Sequence, residues 1–247
     1  MITINKASQR RRFGHGNFEV NVTFPGVNLN NPDDIGLLNL GRIDHAILKP
    51  GAFIGMHQHI NDEILSLLKS GTMLHKDSTG KTVKVTASHL MMMNAGYGIF
   101  HEESIPTETY RQNVEMLQIF IRPAKKDEDP DVQFADIPMG EINKWRLLAG
   151  YATAPLIIRS EIYVLDVTIN NKSIEIPFSH YPNSTILLYV FNGSIDLVEK
   201  YSLSKGDSAV ITGNEQPLIY ATDADVIAFV MNSDAVYTRE GMFSGLN

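Results

Sequence analysis

Short apolar stretches alternate with turn residues along most of this chain. Examples are Phe18 to Phe24, Ile64 to Leu68, Met116 to Ile121, Tyr163 to Ile169, Ile186 to Phe191 and Val226 to Val230. They are rich in Val, Ile, Tyr and Phe. Gly, Pro, Asn and Asp punctuate them, as in Pro50-Gly51, Ser70-Gly71, Asn192-Gly193 and Lys205-Gly206-Asp207. Many short strands between turn signals predict an all-β barrel or sandwich rather than strand–helix–strand units. Helical periodicity is weak, and its best stretch is Met139 to Leu148, a short helix or an irregular connection.

Two halves are expected. Ile64 to His75 reads as strand, glycine turn, strand, and Ile186 to Leu197 repeats that figure. Their turn glycines, Gly71 and Gly193, lie about half a chain apart. The polar stretch Arg122 to Pro130 carries two prolines and reads as an exposed connection leaving the first half. The division predicted is 1–135 and 136–247.

Composition narrows the function. Hydrophobic residues make up 43% and charged residues 20% of the 247, which fits a globular chain and argues against disorder. The net charge is −7, and the only basic clusters are Arg10 to Arg12 and Lys125-Lys126. Nucleic-acid binding draws on phosphate neutralisation and is not expected here. There is no cysteine, so disulfides, thiolate metal sites and cysteine nucleophiles are excluded. Residues 1–14 show no apolar stretch of signal-peptide length, and no run reaches membrane-helix length. The expectation is a soluble cytoplasmic protein with no membrane partner. Motifs for a serine nucleophile elbow or a phosphate-binding loop are absent.

Histidine carries the candidate chemistry. Two of the eight stand as His57-Gln58-His59. In a strand, residues i and i+2 project from one face, roughly 6.5 Å apart. Two imidazoles so placed can share one ion at about 2.0–2.1 Å per bond. If the strand runs on unbroken, Glu63 lies on the same face. A second pair, His101 and Glu103, has the same spacing and follows the turn-forming Gly96-Tyr97-Gly98. Two antiparallel strands offering one pair each would enclose an ion with up to four protein ligands. Two histidines and a carboxylate with open positions suit Fe(II) oxygen chemistry, while Zn, Mn, Ni and Cu accept the same donors. A lone H-x-H pair is often an ordinary surface feature; the two pairs together carry the argument. His75 and His89 are weaker ligand candidates. His15, His45 and His180 read as isolated surface or packing residues. Met91 to Met93 could wall an apolar cavity or simply fill a core.

These residues carry a family resemblance. Gly51, His57-x-His59, Glu63 and Gly71 are similar to the first cupin motif, with one extra residue before the last glycine. The longer run resembles the pirin family. His57-Gln-His59-Ile-Asn-Asp-Glu63 is similar to its H-P-H-R-x-x-E segment. Gly71-Thr-Met-Leu-His75-Lys-Asp77-Ser-Thr-Gly80 is similar to its G-x-x-x-H-x-D-S-x-G hairpin. Asn94-Ala-Gly96-Tyr-Gly98-Ile-Phe-His101-Glu-Glu103 is similar to its T-A-G-x-G-I-x-H-S-E segment. The match is tight over residues 50 to 103. Gln58 and Ile60 depart from it, replacing its proline and arginine.

The resemblance implies two tandem cupin barrels, also called jelly rolls or double-stranded β-helices. It implies iron held by His57, His59, His101 and Glu103 in the first barrel and no metal in the second. Glu63 competes with Glu103 for the fourth position, or stands behind the ligands as a proton-handling group. Pirin-like proteins include members that open flavonols such as quercetin with O2, releasing carbon monoxide. Others act by docking protein partners according to iron state. A metal-dependent isomerase or sugar-binding barrel is a third possibility, since one fold serves many chemistries.

Overall fold

The computed structural model describes the chain except residues 30, 32, 108, 178–182, 199, 214–216, 246 and 247. His180 therefore lies outside the described residues. Nineteen strands and one 3-10 turn, Ala7–Gln9, make up the regular structure there.

After β1 (Ile2–Asn5), the N-terminal half runs β2 (Arg11–His15), β3 (Phe18–Thr23), β4 (Leu40–Leu48), β5 (Phe53–His59), β6 (Glu63–Ser70), β7 (Met73–Asp77), β8 (Thr82–Val85), β9 (His89–Asn94), β10 (Ile99–Ser104), β11 (Val114–Ile121) and β12 (Asp131–Asp136). Two sheets face each other here. One has the order β12-β9-β6-β11-β4-β3-β2 and the other β5-β10-β7-β8.

The C-terminal half holds β13 (Arg146–Tyr151), β14 (Leu156–Ile158), β15 (Ile162–Glu175), β16 (Ser184–Leu197), β17 (Tyr201–Ser204), β18 (Ser208–Thr212) and β19 (Leu218–Asn232). They join an eight-stranded sheet of order β1-β18-β16-β19-β15-β13-β14, with β17 on β16. Pairing is antiparallel except for β13 with β14. The possible helix over 139–148 is instead a turn followed by β13. Asn143 takes a left-handed φ of 63° in that turn, and Arg146 pairs bidentately with Asp166 of β15.

The ends of the chain cross between the halves. β1 pairs with β18 in the C-terminal sheet. The turn at 241–244 returns to the first barrel, where Met242 N–H donates to the Ile60 carbonyl at 3.0 Å.

Three apolar clusters explain the pattern of the sequence. Ile64, Leu68, Met91, Met93, Met116 and Phe120 point into the first barrel. Ile186, Leu188, Val190, Val226 and Ala228 point into the second. Their alternate neighbours Leu65, Leu67, Met92, Leu117, Ile119, Leu187, Tyr189, Ile227 and Phe229 meet between the barrels. A strand buried on both faces needs no polar alternation, so the unbroken apolar runs mark the strands at the barrel interface. Each such aliphatic or aromatic side chain stabilises the fold by roughly 1.5–3 kcal/mol relative to exposure.

Candidate metal centre

The site forms between the two sheets of the first barrel. β5 and β10 pair antiparallel with His101 opposite His57. Two glycines set up that pairing. Gly96 takes φ 51°, and a side chain there would meet the Glu128 carbonyl, while Gly98 takes φ 147° beside Gln58. A bulge follows, because Glu103 pairs with Ile54 rather than with residue 55. The extra residue resets the alternation along β5.

His57, His59 and His101 converge. Each offers a ring nitrogen within 4.8 Å of the others. Ring centroids are 4.9 Å apart for His57 and His59, 4.4 Å for His57 and His101, and 5.0 Å for His59 and His101. The far nitrogens are already engaged. His57 Nδ1 lies 2.9 Å from the Gly55 carbonyl, and His59 Nδ1 lies 3.4 Å from Asp62 Oδ2. Nε2 of His59 and Nε2 of His101 are buried with no hydrogen-bond partner among the described residues. Two buried ring nitrogens left unpartnered so close together are costly unless something binds there. The donor set fits a first-row transition ion.

Burial favours the metal-binding form of His57 and His101. Burial, reinforced by the neighbouring histidines, pushes His101 down to about 2. Burial also lowers His57 and His75. Protonated rings would repel one another and would have no lone pair to give.

Glu103 is buried, and its carboxylate accepts from Gln118 Nε2 of β11 at 3.2 Å. It forms a second donor group with His101 and His75. Burial pushes it up to about 7 against the Gln118 hydrogen bond. Glu63 lies elsewhere. β5 ends at His59, and Asn61 takes φ 53°, so the strand does not run on unbroken. The turn sends Glu63 to the inter-barrel side, where it accepts from Asn94 Nδ2 at 2.9 Å and from Arg159 N–H at 2.8 Å.

Several residues around the site escaped the sequence reading. Asp62 holds His59 from behind and accepts the N–H groups of Phe243 and Ser244. Phe243 and Phe120 pack against His59, and Arg42 lies over both phenyl rings at 5.1 and 5.2 Å. Their separation along the chain hides this grouping. His75 is fully buried, and His75-x-Asp77 had the same i, i+2 spacing that singled out His57 and His59. Met91 and Met93 fill the barrel core, and Met92 faces the second barrel. The remaining described histidines lie outside this group. His15 is exposed, His89 pairs with Asp136 near the surface, and His45 is a packing residue between Tyr189 and Glu115.

A family model, Pirin, matches residues 7–121. Over these residues the chain is similar to the pirin family. The chain is 34% identical over 130 residues to quercetin 2,3-dioxygenase of Escherichia coli K12, covering 53% of this chain and 55% of that relative. The chain thus matches about half the length of that curated relative. It is 21% identical over 236 residues to the pirin-like protein YhaK of the same organism, covering 94% and 99%. The crystal structure of YhhW from Escherichia coli superposes with a TM-score of 0.80 at 23% identity, over 94% of this chain and 97% of that one. A bacterial pirin, YhhW in complex with nickel(II), superposes equally well, over 94% and 99%. The chain has the same two-barrel β fold as these structures.

Among the described residues, no helix is long and apolar enough to cross a membrane.

Proposed function

We propose that this pirin-like chain is a metal-dependent dioxygenase that opens flavonols such as quercetin with O2. The ion is Fe(II) in this reading, held by His57, His59, His101 and Glu103, and the same donors accept Ni, Mn, Cu or Zn. The observation that carries it is the convergence of three imidazoles, two of which have buried nitrogens without a hydrogen-bond partner among the described residues. A metal bound there would supply Lewis acidity and a template for the substrate's 3-hydroxyl oxygen. Glu103, buried and pushed up to about 7, is the group suited to accept the phenolic proton. Gln118 holds its carboxylate in place. His57, half-buried, marks the side from which a planar phenol reaches the site.

The test is aerobic incubation of protein loaded in turn with iron, nickel, copper and manganese. Loss of the flavonol absorbance with release of carbon monoxide is expected for at least one metal. No turnover with any of them contradicts the proposal.

One observation favours a second reading, a metal-responsive docking protein. Phe53, Met56 and Phe100 lie on the strands that bear the histidines, yet they are 66%, 46% and 44% exposed. A pull-down that captures a partner only from the metal-loaded form, with no phenol turnover, would support this reading instead.

A further inference from the structure

His57 and His59 each have an oxygen behind the ring that can only accept, so each Nδ1 carries the proton and each Nε2 stays bare. His101 has no such oxygen among the described residues. Its Nδ1 faces another imidazole nitrogen, His75 Nδ1, at 3.4 Å. An imidazole nitrogen can donate or accept, so this contact alone leaves the His101 tautomer open.

We propose that Asp77, acting through His75, sets the tautomer of His101 that leaves its Nε2 free to bind a metal ion. His75 Nε2 lies 3.0 Å from Asp77 Oδ2, and both side chains are fully buried. The carboxylate accepts only, so His75 carries its proton on Nε2. His75 Nδ1 is then a lone pair, and His101 Nδ1 must donate to it. His101 Nε2 is left unprotonated and partnerless in the centre of the site. With both imidazoles neutral and Asp77 ionised, any other arrangement sets two N–H groups or two lone pairs against each other. Asp77 is itself anchored. Its Oδ1 accepts Thr79 N–H at 2.8 Å, the Thr79 hydroxyl at 2.5 Å and Lys81 N–H at 3.3 Å. Only Oδ2 faces the histidine. Asp77 and His75 are positioning residues, and His75 then supports His101 rather than binding a second ion.

The proposal rests on the metal reading above, but its first test does not need the metal. Long-range proton–nitrogen NMR of the metal-free protein reads each ring's tautomer directly. The expected result is Nε2–H on His75 and Nδ1–H on His101. Nε2–H on His101 overturns the proposal. The second test ranks two variants by Ni(II) titration, with thermal melting as the check on folding. In Asp77→Asn the three donors still hold the carbonyl oxygen, so the amide NH2 faces His75 and reverses the whole chain of protons. Affinity should fall about 10- to 100-fold, the usual effect of losing a group that orients a ligand. Asp77→Ala imposes no tautomer and should lose less. A merely structural Asp77 predicts the opposite order, since asparagine is nearly isosteric, and that order overturns the proposal. Wild-type protein that binds no Ni(II) would defeat the metal reading while the NMR result still decides the relay.

Discussion

The Phe243 ring lies 5.0 Å from the His59 imidazole, although the two residues are far apart in the chain. The turn that carries Phe243 is fixed by Asp62, whose carboxylate also holds His59 Nδ1. A segment arriving from the second barrel therefore braces a candidate ligand in the first. Phe243→Ala should lower stability by about 1–3 kcal/mol, less than a fully buried aromatic because Phe243 is only partly covered. It should also weaken Ni(II) binding several-fold by freeing the His59 ring. Urea unfolding and metal titration measure the two effects. Unchanged metal affinity would show that Asp62 alone suffices to hold the ring.

His57→Ala/His59→Ala should abolish metal retention. Each ring contributes one of three converging nitrogens, and His101 with Glu103 leaves too few donors to retain a transition ion. Metal analysis of protein purified without a histidine tag checks this. His15→Ala, on an exposed strand, should leave the metal content unchanged. Equal metal content in the double variant and the wild type would mean that the ion sits elsewhere.

The two glutamates should separate cleanly. Glu103→Gln is expected to lower flavonol turnover by about 10²–10⁴, the range for a lost general base. Glu63→Ala removes the acceptor for Asn94 and for Arg159 N–H across the barrel interface. Its effect should appear in stability, by about 1–3 kcal/mol for the unsatisfied donors, with kcat of the folded protein little changed. A large kcat loss in Glu63→Ala with intact metal content would return that residue to the chemistry.

Acid should weaken the polar network between the barrels. Glu115 accepts from His45 and from Lys205, and these contacts, the His45 hydrogen bond foremost, hold its carboxyl down at about 2. His45 is lowered by burial, so it serves as a neutral donor through Nε2 while Nδ1 takes the Tyr189 hydroxyl. A depressed carboxyl contributes its stability above the unfolded value of 4.5 and loses it as pH falls toward about 2. Glu115→Gln should thus cost about 1–3 kcal/mol at neutral pH, an upper range because the group is partly solvated, and almost nothing near the lower limit. Denaturant midpoints of the two proteins across that window should converge on acidification. A constant gap would assign the effect to packing.

Much of this architecture is readable from residue order. Strand periodicity puts His57 and His59 on one face, and the glycines before Ile99 signal the turn that delivers His101 opposite them. The apolar runs around Leu67, Ile119, Leu187 and Ile227 mark strands covered on both sides. Other features are set by contacts that no local pattern encodes. One left-handed residue, Asn61, sends Glu63 away from the histidines. The bulge before His57 resets the alternation along β5. Arg146 finds Asp166, and a weak helical rhythm yields to a strand. Asp62, Phe120 and Phe243 assemble around His59 only after the barrel has closed.

The exchange of chain ends has a mechanical consequence. The first strand of the polypeptide is stitched into the far barrel, and a late turn is stitched into the near one. Neither half can detach without pulling a thread from the other. Heating should accordingly give a single cooperative melting step rather than one for each lobe. An ion that tightens the near lobe should raise the melting temperature of both together.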